Sequence, residues 1–321
     1  MYSYNDLIAL FSAKFANNHF PNHTPSLYEP NRYFLSMGGK HIRPVALLMA
    51  NELFGDITQD AYFAGIALEL FHNFSLIHDD IMDNAPLRRG KPTLHTKYNQ
   101  STAILAGDVM LVKSYDYLNK ISKKHAHQII ELFNKTAAEV CEGQQLDMDY
   151  SQTNTVSIND YITMISLKTS VLIAAAFAMG AILGEASVGN VKHLYEFGKN
   201  LGIAFQIQDD YLDCFGTQEN VGKKIGGDIL ENKKTFLLLY ALQHASHADK
   251  KIIAQQTNNT NDNKIEIIKE IFERSGAKAW TIELQNKYFD TALQHFEETA
   301  VLSKRKVAIM ELANFLVQRE H

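Results

Sequence analysis

The stretch FHNFSLIHDDIMD at residues 71–83 indicates the fold class, and FQIQDDYLD at residues 205–213 ends in the same acidic pattern. In both stretches, apolar and aromatic residues lead into the pattern Asp-Asp-x-x-Asp. An α-helix turns about 100° per residue, so positions i, i+1 and i+4 lie in one sector of its surface. We therefore expect two helices that each present three clustered carboxylates, namely Asp79, Asp80 and Asp83 on one and Asp209, Asp210 and Asp213 on the other.

Helical periodicity continues along most of the chain. The 321 residues contain only 6 Pro and 17 Gly, so few positions break a helix. An all-α fold is therefore predicted. The predicted helical stretches are 4–17, 43–54, 58–84, 97–118, 124–148, 158–184, 188–216, 233–255, 264–274, 277–298 and 303–318, with breaks that include Asn17–Pro30, Gly216–Gly227 and Gln255–Lys264. The length would allow two domains, but no break is long enough to be a domain linker.

Composition argues against several classes of binding partner and favours one cellular compartment. A net charge of −5 gives no general attraction to nucleic acid. Two cysteines in apolar helical contexts favour neither a disulfide framework nor a cysteine metal site, which fits the cytoplasm. The N-terminus has no basic segment typical of a signal peptide. The longest apolar run, Val171–Gly184, is shorter than the roughly 20 residues of a membrane span, so it is expected to be a buried helix.

Clustered carboxylates beside apolar residues need compensation of their charge. Like charges a few ångströms apart either raise each other's pKa or bind cations, and oxygen ligands select hard cations such as Mg²⁺. The alternative is a solvated acidic helix end. The recurrence of the motif in equivalent surroundings favours a cation site, and Mg²⁺ held by a few carboxylates commonly binds substrate phosphate.

Basic segments that contain glycine follow both acidic clusters. After the first come Arg88 and Arg89 in Leu87–Thr93, and after the second come the lysines of Gly222–Asp228 and Asn232–Thr235. Upstream, Gly38-Gly39-Lys40 precedes Arg43, and Lys168-Thr169 precedes the long apolar run. Arginine presents a fork that suits phosphate oxygens, whereas each lysine alone could be a solvated surface residue. The repeated order of acidic helix end and basic segment favours phosphate binding.

These motifs together resemble those of the trans-isoprenyl diphosphate synthases of the polyprenyl synthetase family, over about residues 35–240. They are GKHIRP at 39–44, HDDIMD at 78–83, LRRG at 87–90, Gly143-Gln144, Lys168-Thr169 and FQIQDDYLD at 205–213. The resemblance implies one domain spanning residues 1–321, built as a bundle of long antiparallel helices around a deep central cavity. It also implies a homodimer, with the two acidic motifs of each chain facing across that cavity.

The resemblance further implies Mg²⁺-dependent head-to-tail 1′-4 condensation of isopentenyl diphosphate with an allylic diphosphate. The six motif aspartates would bind about three Mg²⁺ ions. Isopentenyl diphosphate would be held by Lys40, Arg43, His72 and Arg89, and the allylic diphosphate by Arg88, Lys168, Thr169, Gln206, Lys223 and Lys233. The doublets Lys223-Lys224 and Lys233-Lys234 leave open which lysine of each pair makes the contact. His41 stands where the family usually has Arg or Lys.

Product length is expected to depend on the helix before the first acidic motif. Phe71, Phe74 and Ser75 precede Asp79 there, without the adjacent aromatic pair or motif insertion that C15 synthases of the family often carry. This pattern resembles archaeal geranylgeranyl diphosphate synthases, so a C20 product is expected and C15 is the alternative. Phe71 could equally be a core residue that points away from the cavity.

Two other functions remain possible at this point. A terpene cyclase would share the fold and the first acidic motif, and a non-catalytic synthase subunit would generally lack one of the two motifs. The complete second motif and the presence of both Lys40 and Arg43 argue against these alternatives.

Overall fold

The computed structural model describes residues 1–16, 19–153, 155–216, 225–257, 259 and 263–317. The all-α expectation is confirmed, because nearly every element in this part of the chain is helical. The helices are Tyr4–Phe15 (α1), Pro25–Leu35 (α2), Ile42–Glu52 (α3), Gln59–Met82 (α4), Leu94–Lys97 (α5), Gln100–Leu118 (α6), Lys123–Gln152 (α7), Ile158–Ile165 (α8), Val171–Leu183 (α9), Val188–Phe215 (α10), Gly227–Leu230 (α11), Phe236–His244 (α12), His247–Gln256 (α13), Asn263–Arg274 (α14), Ala277–Glu297 (α15) and Ser303–Val317 (α16). A π-helical turn, Ser166–Ser170, joins α8 to α9.

A small antiparallel hairpin follows the helix that carries the first acidic motif. Its strands, Leu87–Arg88 (β1) and Lys91–Pro92 (β2), pair Leu87 with Pro92 and Arg88 with Lys91. Gly90 has a φ of 74° in the connecting turn, a conformation that costs glycine little. The hairpin therefore returns the chain immediately after Arg88 and Arg89.

Side-chain caps fix the start of the helices that position the motifs. The hydroxyl of Thr58 accepts a hydrogen bond from the backbone N–H of Ala61 at the start of α4. At the start of α8, Ser157 and Asp160 form a reciprocal capping box. Each cap satisfies N–H groups that have no partner within the helix, which stabilises it by roughly 1 kcal/mol.

Contacts divide the chain into two compact units. The first consists of Met1–Lys135, Ala175–Tyr195 and Thr299–Met310, and the second of Thr136–Ala174, Glu196–Glu298 and Glu311–His321. The first unit buries Phe11, Phe34, Phe71, Phe133 and Phe177, each no more than 1% exposed. The second unit buries Phe197, Phe236, Phe272 and Phe296, each no more than 2% exposed. Each unit therefore has its own apolar core, and the first acidic motif lies in the first unit and the second motif in the second.

The predicted break at Asn17–Pro30 was wrong over its second part, where α2 begins at Pro25. Pro25 occupies the first turn, where its missing N–H costs nothing. Pro30 lies inside the helix, where it removes one backbone hydrogen bond, but it is buried together with Phe34. Burial of this face outweighs the weak local propensity that the sequence displays.

Two predicted helical stretches are interrupted. The stretch 97–118 begins only at Gln100, after the separate short helix Leu94–Lys97. The stretch 233–255 contains α12 and α13, separated at Ala245 and Ser246. Ser246 accepts a hydrogen bond from the N–H of Asp249, so the break is a helix start that periodicity alone did not reveal.

One continuous helical segment, Ile158–Leu183, is long and apolar enough to cross a membrane by length and composition. This segment is longer than the apolar run Val171–Gly184 because the π-helical turn joins α8 to α9. Within the part of the chain that the structure describes, 83% of its most apolar window is buried against other residues. This burial is typical of the core helix of a globular protein.

Candidate functional site

A cavity of about 360 Å³ in the first unit brings together four residues predicted to bind one diphosphate. Lys40, Arg43, His72 and Arg89 all line it, together with His41 and Glu69. Lys40 and Arg43 flank the start of α3, His72 comes from α4, and Arg89 comes from the hairpin turn. Three basic side chains at one opening suit a polyanion of small size.

His72 contributes to this cavity as a neutral group. Its Nε2 lies 3.1 Å from Nη1 of Arg43, and since a guanidinium can only donate, Nε2 accepts. Burial, followed by the charges of Arg43 and Arg89, lowers the pKa of His72 well below its usual range. His72 therefore offers a hydrogen bond and holds Arg43, whereas the charge comes from the arginines and Lys40.

Glu69 is a site residue that the motif comparison did not identify. It is 4% exposed, and its Oε1 lies 2.9 Å from Nδ1 of His41. The charge of Glu69 raises the pKa of Arg89, although burial has the larger and opposite effect on that guanidinium. A carboxylate in the apolar run Ala67–Phe71 was the signal in the sequence, because an acidic residue in a buried helical face requires a partner.

Gly39 lies beside Arg89. A Cβ atom on Gly39 would lie 3.4 Å from Nη2 and 3.5 Å from Nη1 of Arg89, which is ordinary van der Waals contact. Arg89 itself has a φ of 52°, in the left-handed region that non-glycine residues seldom occupy. Backbone strain at Arg89 thus accompanies its placement in the cavity, as is common for functional residues.

Arg88 is held by the first acidic motif. Its Nε donates to both carboxylate oxygens of Asp80, at 2.8 and 2.9 Å, and its Nη2 lies 3.7 Å from Asp79. Asp80 is 2% exposed, and burial raises the pKa of its carboxyl while the hydrogen bond from Arg88 lowers it. Asp83 follows as the C-cap of α4 and is exposed. The motif thus combines one buried, arginine-bound carboxylate with more accessible ones.

The second acidic motif is centred on a buried carboxylate. Asp210 is 5% exposed and accepts hydrogen bonds from the hydroxyl of Tyr161 at 2.8 Å and from Nε2 of Gln206 at 3.0 Å. Burial, followed by the charge of Asp228, raises the pKa of Asp210 well above its usual range. Burial and the Asp228 carboxylate therefore disfavour the ionised form of Asp210, whose described hydrogen-bond partners are both neutral.

Asp213 joins this motif to the residues that follow it. Its carbonyl oxygen accepts from the N–H of Gly226 at 2.6 Å, and its Oδ2 accepts from the N–H of Asp228 at 2.9 Å. These two bonds tie the end of α10 to the start of α11. The segment that carries Lys233 is therefore anchored to the second acidic motif.

Lys168 and Thr169 lie in the π-helical turn, a distortion often found at functional sites. The ammonium of Lys168 lies 2.5 Å from Oδ2 of Asp147 on α7. The hydroxyl of Thr169 donates to Oε1 of Gln206 at 3.1 Å. Because Gln206 also binds Asp210, the turn and the second acidic motif belong to one hydrogen-bonded network in the second unit.

Lys233 and Lys234 differ in their contacts. Nζ of Lys234 donates to the carbonyl oxygens of Tyr150 and Thr153, so it fastens the end of α7. Nζ of Lys233 is half-exposed and lies 3.4 Å from Asp228 and 3.6 Å from Glu231. This arrangement supports Lys233 as the ligand-binding member of the pair. Lys223, also predicted to bind diphosphate, lies outside the described residues, as does Lys224.

The predicted length-determining residues lie one helical turn apart on α4. Phe71 is 1% exposed and packs against Phe133 with ring centroids 5.3 Å apart. Phe74 is 9% exposed and packs between Phe71, at a tilted angle, and His78, edge to face. The hydroxyl of Ser75 donates to the carbonyl oxygen of His72. Phe71 therefore has a core role in the first unit, whereas Phe74 retains more accessible surface.

The donor set suits a hard divalent cation. Aspartate oxygens are the ligands that Mg²⁺ prefers, and a bound cation would stabilise the ionised form of Asp210 that burial disfavours. In the residues that the structure describes, no three His, Cys, Asp or Glu side chains converge as a preformed metal cluster. Such a cluster is not required, since Mg²⁺ is commonly held by one or two carboxylates together with substrate phosphates.

Tyr161, Asp147 and Asp228 also went unrecognised in the sequence. Each contacts a predicted site residue: Tyr161 binds Asp210, Asp147 binds Lys168, and Asp228 lies beside Lys233. The first two pairs are 49 and 21 residues apart, so no local spacing connects them. Only Asp228 carried a signal, as the acidic residue that ends a basic, glycine-containing segment.

Comparison with known proteins identifies the family that this chain resembles. The polyprenyl synthetase family model matches residues 24–275. The geranylgeranyl diphosphate synthase of Saccharolobus solfataricus is 37% identical, over 92% of this chain and 90% of that protein. A crystal structure of geranylgeranyl pyrophosphate synthase superposes with a TM-score of 0.94 at 40% identity, covering 100% of both chains. The polyprenyl synthase of Caulobacter crescentus CB15, complexed with calcium and isoprenyl diphosphate, superposes with a TM-score of 0.87 at 27% identity, covering 99% of this chain and 98% of that one.

Proposed function

The chain belongs to the polyprenyl synthetase family and is a prenyltransferase, and from this premise we propose its reaction and product. It condenses isopentenyl diphosphate head to tail with allylic diphosphates, forming the 1′-4 bond, and its main product is geranylgeranyl diphosphate. The observation that carries the proposal is the basic cavity, because Lys40, Arg43 and Arg89 line one opening of a size suited to a diphosphate. Neither Arg88 nor Asp80 is among the residues that line this cavity, so the pair is available to a second diphosphate.

The allylic diphosphate is assigned to the acidic motifs and their basic neighbours. We propose that Asp79, Asp80, Asp83, Asp209, Asp210 and Asp213 hold about three Mg²⁺ ions that bind it, with Arg88, Lys168, Thr169, Gln206, Lys223 and Lys233 as direct contacts. Bound Mg²⁺ would supply positive charge that stabilises the departing diphosphate oxygens. The hydrogen-bonded network of Thr169, Gln206 and Asp210 supports a shared role for these residues.

The first chemical step is ionisation of the allylic substrate. The bond between C1 and the diphosphate oxygen breaks, and both electrons leave with diphosphate. Arg88, Lys168 and Lys233 stabilise the negative charge that develops on the leaving group. The allylic cation must meet the alkene before water reaches it, which requires apolar walls around the allylic tail.

The second step joins the two substrates. The alkene electrons of isopentenyl diphosphate form the new carbon–carbon bond, and a proton at C2 leaves to generate the new double bond. The released diphosphate is the proposed proton acceptor, so no protein base is needed. Lys40, Arg43 and Arg89 contribute by holding isopentenyl diphosphate in line with the cation, which replaces a bimolecular encounter with a positioned one.

Two alternatives are weaker. A terpene cyclase would have no use for the basic cavity around Arg43 and Arg89, because it ionises a single substrate. A non-catalytic subunit would generally lack one acidic motif, whereas this chain has both. Farnesyl diphosphate, the C15 product, remains the alternative within the family.

Condensation is tested directly with purified protein, Mg²⁺, isopentenyl diphosphate and dimethylallyl diphosphate. Release of diphosphate that requires both substrates supports the synthase. Release from the allylic substrate alone would support a cyclase, and no release with dimethylallyl, geranyl or farnesyl diphosphate would support a non-catalytic subunit. Chromatography of the dephosphorylated products identifies the chain length.

Removing a cationic side chain from the basic cavity should weaken binding of isopentenyl diphosphate. We expect Lys40→Ala and Arg89→Ala each to raise the KM for this substrate by about tenfold or more, since each removes a charge-assisted hydrogen bond. The KM for the allylic substrate should change much less. Lys97→Ala, which removes a lysine that stacks on Tyr33, is the control. An unchanged KM for isopentenyl diphosphate would contradict the assignment.

Product length should respond to Phe74. Phe74→Ala removes an aromatic side chain that keeps some accessible surface, so products longer than those of the wild type are expected. Phe71→Ala should lengthen the product less and should destabilise the protein by about 3–5 kcal/mol, since Phe71 is fully packed. Chromatography and thermal unfolding measure the two effects. If neither variant lengthens the product, the floor of the cavity is formed by other residues.

We further propose that residues 1–321 act as one synthase domain, in a cytoplasmic homodimer. The family model spans segments of both compact units, which supports a single functional domain. An exposed apolar stripe on α6, formed by Ile104, Leu105, Val112 and Tyr115, supports association with a second copy. These residues are 39–60% exposed and recur at helical spacing, a pattern that favours burial by a partner.

A further inference from the structure

A buried lysine lies beneath the loop that carries Lys233. Lys264 on α14 is 2% exposed, yet its ammonium donates only to neutral acceptors, the carbonyl oxygen of Leu230 at 3.2 Å and Oδ1 of Asn232 at 2.8 Å. Among the described residues, no carboxylate forms an ion pair with it. A buried charge without a carboxylate partner is costly, so core packing alone does not account for a lysine at this position.

The two acceptors of Lys264 belong to the turn immediately before Lys233. Asn232 has a φ of 56°, and its side-chain N–H donates to the carbonyl oxygen of Thr257 at 3.0 Å. The side chain of Asn232 therefore bridges Lys264 and Thr257, which fixes an uncommon backbone conformation from two sides. Lys264 also binds the Leu230 carbonyl at the end of α11, where the helix leaves carbonyl groups without partners.

This turn determines where the next side chain begins. The backbone N–H of Lys233 donates to the carbonyl oxygen of Asp228 at 2.9 Å, and its Nζ lies 3.4 Å from the Asp228 carboxylate. Asp228 in turn is fastened to Asp213 of the second acidic motif. A change at Asn232 would alter the direction of Lys233 while leaving the Asp213 contact intact.

We propose that Lys264 is a positioning residue that holds the turn at Leu230–Asn232 so that the ammonium of Lys233 reaches the allylic diphosphate. The proposal rests on the proposed function, in which Lys233 binds that diphosphate. It assigns Lys264 no contact with substrate. Burial of the Lys264 ammonium costs desolvation free energy. In return, the turn is held in the conformation that orients Lys233.

A purely structural role makes a different prediction for substrate binding. If Lys264 served only to hold the fold together, Lys264→Met would lower the melting temperature and leave substrate binding unchanged. If it positions Lys233, Lys264→Met weakens binding of the allylic diphosphate, whatever happens to the melting temperature. Binding and not stability decides between the two roles, because in both cases the Leu230 carbonyl and Oδ1 of Asn232 lose a hydrogen-bond donor.

The test compares Lys264→Met and Asn232→Gly with the wild type and with Lys250→Met. Glycine retains the positive φ at residue 232 but removes the bridging amide. Lys250 lines the same cavity as Lys264, yet its ammonium donates to the carbonyl oxygen of Gln243 on α12, away from the turn, so it is a matched control. Calorimetry gives the Kd of inorganic diphosphate with Mg²⁺, and kinetics gives KM for both substrates.

We expect both variants to weaken diphosphate binding and to raise the allylic KM by about tenfold, the usual effect of losing one charge-assisted hydrogen bond. The KM for isopentenyl diphosphate and all values for Lys250→Met should stay within twofold. Unchanged diphosphate Kd in both variants would overturn the proposal, as would an equal effect of Lys250→Met. Because calorimetry does not require turnover, absence of condensation in the wild type would refute the proposed function separately.

Discussion

Replacing Asp79 or Asp209 with alanine is expected to lower kcat by about a thousandfold or more, because each removes a carboxylate that would hold charge against the departing diphosphate. Both residues begin an Asp-Asp-x-x-Asp motif, and the carboxylate next to each is already hydrogen-bonded within the protein. Asp80 is bound by Arg88, and Asp210 is buried among Tyr161 and Gln206. Steady-state diphosphate release over a range of Mg²⁺ concentrations measures the loss.

The control for these variants is Asp116→Ala. Asp116 is 51% exposed and pairs with Lys113 on the surface of α6, so its removal should change kcat by less than about twofold. Circular dichroism should show that all variants retain their helical content. Near-normal turnover in both Asp79→Ala and Asp209→Ala would refute the metal assignment.

The acidic motifs could be predicted from the sequence because their geometry is local. Spacing of i, i+1 and i+4 places three side chains in one sector of any helix, and both motifs lie on helices or at a helix end. The identity of their partners is not local. That Arg88 binds Asp80 depends on the hairpin, and that Tyr161 binds Asp210 depends on how α8 packs on α10. Such contacts join residues far apart in sequence, and periodicity carries no information about them.

It was likewise easier to predict that a segment is helical when its local signals are strong than when they are weak. The 24 residues of α4 have strong apolar periodicity and a clear Thr58 cap. By contrast, α2 contains two prolines, so local signals favour a loop there. Its helix depends on burial of Pro30, Asn31 and Phe34. Tertiary burial decides such segments, and a single sequence does not show which face will be covered.

Replacement of Gly143 is expected to have a second large effect, on both stability and turnover. The Gly143-Gln144 motif was recognised by resemblance, but the structure supplies the physical reason for the glycine. A Cβ atom at residue 143 would lie 2.2 Å from the backbone nitrogen of Lys168 and 2.7 Å from its Cα. Since these are backbone atoms, no side-chain rotation can relieve the overlap. The helix α7 therefore approaches the π-helical turn as closely as a glycine allows.

Gly143→Ala should destabilise the protein by about 3 kcal/mol and lower kcat by about a hundredfold, because displacing the turn by about an ångström misplaces Lys168 and Thr169. Helix propensity alone predicts the opposite sign for the change in stability, since alanine stabilises a helix interior by about 1 kcal/mol relative to glycine.

Gly55→Ala, where a Cβ atom has no neighbour within 4 Å, is the control and should leave both stability and kcat unchanged. Thermal unfolding and steady-state kinetics measure the effects. A lower melting temperature with normal kcat would show that the close approach supports the fold without positioning Lys168, whereas wild-type values of both would show that α7 and the turn can separate at no cost.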